Sequence, residues 1–304
     1  MKKDLLKLLD YSKEEIIDII KLGIELKNEV KQGIFTKHLE NKAVGLIFEK
    51  SSTRTRVSFE TGIFQLGGYP MFLSSNDLQL GRGEPVKDTA RVLSRYLDGI
   101  MIRAFEHSKV EELAKYASVP VINGLTDDYH PCQILADLMT VFEHKKKFEG
   151  LKVGWVGDGN NVCNSFIVGS LKLGMDFTLA CPEGYEPIAE VLEFAKDKKG
   201  FKIVRDPKEA AKDADVMVTD VFASMGHEAE AAKRLKDFEG YMIDSELMKH
   251  AKDDCMVQHC LPAHKGEEIS EEVFEKHINE ILDEAENRMH VQKAVMIKLI
   301  NRGK

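Results

Sequence analysis

A chain of 304 residues exceeds the size at which one hydrophobic core usually stops growing, so two domains are expected. Its 43% hydrophobic and 31% charged residues are ordinary for a soluble globular protein, and no apolar run is long enough to span a bilayer. A net charge of -8 excludes general nucleic-acid binding, which needs a basic face to displace counterions.

The five cysteines, at 132, 163, 181, 255 and 260, form no C-x-x-C pair and are odd in number, which argues against a disulfide framework or a zinc finger. Met1-Lys2-Lys3-Asp4 leads into leucines mixed with charge, not into the apolar core of a signal peptide, so a cytoplasmic protein with reduced thiols is expected.

Taken in order, Ser12-Lys13-Glu14-Glu15 is a capping box, and Ile16, Ile20 and Ile24 recur at helical spacing towards a stop near Gly33. Residues 43–48 form a continuous apolar run with the length of a buried parallel strand. Ser51-Ser52-Thr53-Arg54-Thr55-Arg56 follows and opens a helix that ends at Gly67-Gly68. Hydroxyls and guanidiniums at a helix N-terminus make an anion site, and Arg supplies the planar fork that grips phosphate oxygens in pairs. Read alone, the stretch also fits a capped surface helix with solvated arginines.

A second short strand is predicted at residues 69–73. The polar, two-glycine stretch 76–84, which contains Gln79, reads as a mobile loop, and Pro85 opens a helix running to residue 96. Strand 99–103 then delivers Arg103 at its carboxyl end, where open α/β sheets bind ligands. Helix 110–117 and strand 119–122 precede His130-Pro131-Cys132-Gln133, which opens a helix to about residue 147; there His130 can cap or pack as well as bind.

The charge-rich Glu143-His144-Lys145-Lys146-Lys147 and Gly150 mark a domain junction, and a new β-α-β series starts at Lys152. Gly157-Asp158-Gly159-Asn160-Asn161-Val162 imitates a dinucleotide fingerprint but has Val where the third Gly or Ala belongs. An NAD-dependent oxidoreductase is the reading of another class. The next strand, 177–180, places Glu183 only past its end as a ribose acceptor, which speaks against it.

Strand 216–219 ends in Asp220, followed by Val221-Phe222-Ala223-Ser224-Met225-Gly226; a strand-end carboxylate with a glycine-hinged loop suits an amine, or a simple N-cap. Strand 256–258 delivers His259-Cys260-Leu261-Pro262, where adjacent His and Cys do not easily share one metal ion's tetrahedron. The last helix, from about Asp283, carries Glu286-Asn287-Arg288-Met289-His290. On its residues alone, Arg288 reads as a surface cation.

Taken together and in this order, Ser52-Thr53-Arg54-Thr55-Arg56, Gln79, Arg103, His130-Pro131-Cys132-Gln133, Asp220 with Ser224-Met225-Gly226, and His259-Cys260-Leu261-Pro262 closely resemble the aspartate/ornithine carbamoyltransferase family over essentially the whole chain. The last three elements are similar to its ornithine branch. The resemblance implies an α/β fold of two domains, each a parallel sheet flanked by helices, with residues 1–148 holding carbamoyl phosphate and residues 149–284 holding ornithine. The final helix, 285–304, would pack back on the first domain.

It further implies that Ser52, Thr53, Arg54 and Thr55 hold the phosphate, with Gln79 reaching a neighbour's site in a homotrimer or a multiple of trimers. Arg103 and His130 would contact the carbonyl oxygen. Pro131, Cys132, Gln133 and the carbonyls of Cys260 and Leu261 would surround the carbamoyl group, and Arg288 would close over it. Asn161, Asp220, Ser224 and Met225 would bind ornithine, with Cys260 and Asp220 the candidates for the proton. The implied reaction transfers the carbamoyl group to the δ-amine of L-ornithine, giving citrulline and phosphate, with no metal or cofactor. A putrescine carbamoyltransferase shares the carbamoyl phosphate half, and the direction within arginine metabolism is left open.

Overall fold

The computed structural model describes residues 2–78, 83–223 and 230–302. The chain divides into two compact units, residues 1–139 with 286–304, and residues 140–285.

In the first unit a 3-10 turn at Leu8–Asp10 precedes α1 (Lys13–Lys31). Its start is the expected capping box: Ser12 Oγ accepts from the Glu15 N–H, and the Glu15 carboxylate accepts from the Ser12 N–H. Then come β1 (Ala43–Phe48), α2 (Thr53–Gln65), β2 (Tyr69–Ser74), α3 (Val86–Leu93), β3 (Gly99–Arg103), α4 (His107–Tyr116), β4 (Val121–Leu125) and α5 (Pro131–Lys145), the last of which runs on into the second unit.

The four strands form a parallel sheet in the order β2-β1-β3-β4. The central pair, β1 and β3, is buried almost throughout, as continuous apolar runs in a parallel sheet should be. Register sets Phe48 beside Arg103 and Arg103 beside Leu125. The turns that follow β1, β3 and β4 therefore leave one edge of the sheet together.

Several boundaries differ from the sequence reading for identifiable reasons. Pro85 caps α3 from outside, and the chain closes in tight turns after Leu93, short of residue 96. α4 begins at His107, ahead of the expected residue 110, since its polar first turn carries no apolar periodicity to mark it in the sequence. β4 starts at Val121, after Pro120, which has no N–H to give a ladder.

The second unit contains β5 (Lys152–Val156), α6 (Asn161–Leu173), β6 (Asp176–Ala180), α7 (Ala189–Ala195), β7 (Phe201–Val204), α8 (Pro207–Ala211), β8 (Val216–Thr219), α9 (Ala231–Asp237), α10 (Ser245–Met248), β9 (Met256–His259), α11 (Glu271–Lys276) and the start of α12 (Ile278–Ile300). Its parallel sheet is ordered β7-β6-β5-β8-β9. Strand order therefore reverses between β5 and β8, the point at which such sheets receive ligands.

α12 starts five residues ahead of the expected Asp283. Glu280 and Glu284, which look like surface charges in the sequence, accept hydrogen bonds from the backbone N–H groups of Val257 and His259 at 2.8 and 3.0 Å. From Glu286 onward the helix belongs to the first unit. There Lys27 of α1 donates to Asn287 at 2.8 Å, Lys293 donates to Gln65 of α2 at 3.0 Å, and Gly62 of α2 leaves room for the Lys293 stem. Among the described residues no helix is long and apolar enough to cross a membrane.

Candidate active site

The first unit gathers cations at the carboxyl edge of its sheet. β1 runs through Phe48 into Ser52, whose side chain accepts from the Thr55 N–H at 3.2 Å and so caps α2. Thr53 and Arg54 occupy the first turn and are exposed, where helix geometry leaves N–H groups pointing outward. Arg56 turns to other work: Nε donates to Glu60 at 3.0 Å and the guanidinium lies 3.7 Å over the Phe72 ring.

Arg103 and Arg288 are by contrast 7% and 4% exposed. From α12, Arg288 donates to Gln133 Oε1 and, at 3.2 Å, to Thr55 Oγ1. One guanidinium thus ties the N-terminus of α2 to that of α5. Gln133 in turn gives its amide hydrogen to Asp137 Oδ1 at 2.7 Å, which fixes its oxygen towards Arg288.

His130, 4% exposed, precedes α5, and its carbonyl accepts from the N–H groups of Gln133 and Ile134. Burial, reinforced by the positive charges of Arg288 and Arg103, holds its imidazole well below the usual histidine range. The ring is therefore neutral at neutral pH and offers one N–H donor without a third positive charge. Pro131 occupies the first helical position, which needs no N–H partner. The Cys132 thiol lies fully buried, 3.5 Å from the Asn123 carbonyl, and burial pushes its pKa up to about 12. What Cys132 can offer a ligand is its backbone N–H.

In the second unit Asp220 follows β8 and is 7% exposed. Oδ1 accepts from the Val221 N–H at 2.8 Å and from the Cys260 thiol at 3.0 Å, and Oδ2 accepts from the Asn160 amide at 2.7 Å. Asn160, which the sequence reading did not assign a role, is thus the asparagine on Asp220. It also caps α6, its oxygen accepting from the Val162 and Cys163 N–H groups at 3.0 Å each. Asn161 is the first residue of that helix, half-buried beside it.

The His259-Cys260-Leu261-Pro262 turn rests on a buried pair that the sequence reading did not single out. His259 and Glu268 are 1% and 0% exposed and meet at 3.0 Å, while the other His259 nitrogen accepts from the Leu261 N–H at 2.9 Å. That bond secures Leu261 in a left-handed conformation, φ 58°, which a γ-branched residue adopts only where its surroundings enforce it. Asp220, His259 and Cys260 present potential metal-ligand atoms within 4.8 Å of one another. Both imidazole nitrogens of His259 are already engaged, one with Glu268 and one with the Leu261 N–H, so the cluster is arranged as a hydrogen-bond network.

The glycines of the imitation fingerprint also have a local explanation. A Cβ on Gly159 would lie 2.6 to 2.7 Å from backbone atoms of Tyr185, Glu186 and Pro187, so this glycine lets two stretches of this chain pack closely. Gln79, Ser224 and Met225 lie outside the described residues. Lys50, which the sequence reading passed over, is 6% exposed after β1, pairs with Asp127 and lies 4.2 Å from the Phe105 ring. It links the turn that carries Ser52 to the loop before His130.

Comparison with known proteins agrees with both halves of this arrangement. Residues 3–143 match the carbamoyl-P binding domain of aspartate/ornithine carbamoyltransferase, and residues 149–299 match its Asp/Orn binding domain. Ornithine carbamoyltransferases of Methanosarcina acetivorans and Geobacter metallireducens are 56% and 57% identical, each aligned over 99% of this chain and 100% of the relative. The solved ornithine carbamoyltransferase of Pyrococcus furiosus has a TM-score of 0.95 at 50% identity, covering 100% of this chain and 98% of its own. The anabolic enzyme of Campylobacter jejuni has a TM-score of 0.93 at 46% identity, with 99% of each chain covered. With both domain models matched in order along its length, and the sheet edges carrying the residues described above, this chain belongs to the aspartate/ornithine carbamoyltransferase family.

Proposed function

We propose that this chain transfers the carbamoyl group of carbamoyl phosphate to the δ-amine of L-ornithine, giving L-citrulline and phosphate, as a cytoplasmic enzyme of arginine metabolism. The observation that carries the reading is the convergence of buried Arg103 and Arg288 with neutral His130 at one sheet edge. The relatives described above, all ornithine carbamoyltransferases by name, select the amine. Residues 1–148 with 285–304 form the carbamoyl phosphate half in this reading, and residues 149–284 the ornithine half.

The roles follow from the chemistry. Ser52, Thr53, Arg54 and Thr55 hold the phosphate, with Gln79 supplied by a neighbouring subunit. Arg103 and His130 donate to the carbonyl oxygen, whose negative charge grows as the amine attacks; donors so placed contribute ~3 to 4 kcal/mol each. A neutral His130 suits this role, since it donates without having to shed a proton. Pro131, Cys132, Gln133 and the carbonyls of Cys260 and Leu261 orient the carbamoyl group, and Arg288 closes the site.

Ornithine is bound by Asn161, Asp220, Ser224 and Met225. Its δ-amine, with an ordinary pKa of ~10.4, must lose a proton to attack, a penalty of roughly 4 to 5 kcal/mol at pH 7. Cys260 takes part in that proton's path, its thiol hydrogen directed at Asp220.

The proposed assembly is a homotrimer with shared sites. Phe64 and Tyr69, on α2 and the edge strand β2, are 75% and 64% exposed, and Tyr96 after α3 is 74% exposed. Apolar side chains so placed suit a subunit interface.

Four outcomes test these assignments. In soluble cell extract and with the purified enzyme, ureido product should form from carbamoyl phosphate with ornithine, and ~10⁴-fold less efficiently with putrescine, which leaves the α-ammonium and α-carboxylate partners unfilled; comparable kcat/KM for the two amines, or a preference for aspartate, overturns the substrate assignment. Arg54→Ala should weaken carbamoyl phosphate binding by about 2 to 5 kcal/mol, through loss of a charge-assisted pair, and unchanged affinity by titration calorimetry removes Arg54 from the site.

A histidine whose folded pKa is depressed contributes stability present above its unfolded value of ~6.5 and lost as pH falls through the folded value. The Tm advantage of wild type over His130→Gln should therefore shrink between pH 7 and pH 5, whereas a pH-independent difference shows that His130 is not held neutral. Mixing Gln79→Ala with Arg103→Ala subunits should restore part of the wild-type activity if sites are shared between subunits. Demonstrated exchange without recovered activity argues against sharing.

A further inference from the structure

Arg234 of α9 lies outside every role assigned above, yet it closes a ring of contacts around the Asp220 carboxylate. Its Nη1 donates to Asp158 Oδ2 at 2.6 Å and to the Phe222 carbonyl at 3.0 Å. Asp158 stands two residues before Asn160, and Phe222 two residues after Asp220. Asn160 spans the gap on the other side, donating to Asp220 Oδ2 at 2.7 Å. The loop after β5 and the loop after β8 are therefore joined twice, once through Asn160 and once through Arg234.

This second link is built to be rigid. The Arg234 and Asp158 side chains are only 11% and 15% exposed, so solvent screens their pairing far less than that of a surface pair. The guanidinium lies 5.2 Å from the Tyr185 ring, Tyr185 packs on Phe238 at 4.7 Å, and Phe238 stacks on Phe222 at 4.6 Å with the rings 10° apart. On the opposite side the Gly159 N–H donates to the Tyr185 carbonyl at 2.8 Å.

We infer that Arg234 is a positioning residue for the amino-acid substrate: by pinning the Phe222 carbonyl to Asp158 it fixes where the Asp220 carboxylate stands and which of its lone pairs face the substrate's α-ammonium. The inference rests on the ornithine-binding reading of Asp220. A displacement of about 1 Å at such a group is enough to lower turnover efficiency ~100-fold, and neither loop carries a side chain assigned above to the phosphate. The effect should accordingly fall on one substrate.

Steady-state kinetics of Arg234→Met, Arg234→Lys, Asp158→Asn and Asp220→Asn test it, with both KM values measured for each variant. Arg234→Met should raise the KM for ornithine about 10-fold or more while the KM for carbamoyl phosphate stays within about 2-fold, and Arg234→Lys should recover part of the loss. The double variant Arg234→Met/Asp158→Asn should be no worse than the poorer single one, because both break the same link.

The single tryptophan, Trp155, donates through Nε1 to the Asp158 carbonyl at 3.1 Å, so its emission should shift in Arg234→Met before any substrate is added. If Arg234→Met does not fold, Asp158→Asn carries the same comparison. An unchanged ornithine KM in Arg234→Met beside a raised one in Asp220→Asn overturns the inference alone. Both KM values and Tm moving together in Arg234→Met overturns it as well, since that is what general loosening would do. An unchanged ornithine KM in Asp220→Asn overturns instead the reading on which the inference rests.

Discussion

The first unit is arranged around a problem in electrostatics: two guanidinium groups have been taken out of water with a histidine beside them. Desolvating a cation costs several kcal/mol unless other groups replace its water. Arg288 meets this in part with Gln133 and Thr55, neutral acceptors for its two Nη groups. The same field explains His130, whose neutrality follows from burial beside two like-charged neighbours.

The second unit meets the opposite demand. The Asp220 side chain is surrounded by donors: the Val221 N–H, the Asn160 amide and the Cys260 thiol. Each donor holds the carboxylate in place without neutralising it. The thiol differs from the other two in that it can move its proton, which suits a reaction that begins with a protonated amine and ends with a neutral ureido nitrogen. Behind it, His259 and Glu268 support the backbone turn that presents Cys260 and Leu261.

Much of this was legible in the sequence. Parallel strands buried on both faces read as unbroken apolar runs, so residues 43–48, 99–103 and 216–219 stood out, and the polar residues after them marked the sheet edges. The Ser12 and Ser52 caps were visible because capping depends on local spacing. What escaped was non-local. Arg288 looks like a surface cation unless α12 is known to lie against α2, and Glu280 and Glu284 look solvated until backbone N–H groups more than twenty residues away are brought to them. Arg234, in a charged stretch, carries no periodic signal at all. The dinucleotide-like glycines misled for a related reason: Gly159 is required by a neighbouring stretch of this chain, which a spacing pattern does not distinguish from a ligand.

The membership of α12 bears on how the molecule is made. Residues 286–304 belong to the first unit, and Val291, Val295 and Leu299 are buried there. On the ribosome, the unit that begins first is therefore completed last, after all of the second unit has been synthesised. Its sheet must wait with the α12-facing sides of α1 and α2 uncovered, a state in which exposed apolar surface invites association with other chains. Because Arg288 arrives on that same segment, the link between the N-termini of α2 and α5 forms only when the core beneath it closes.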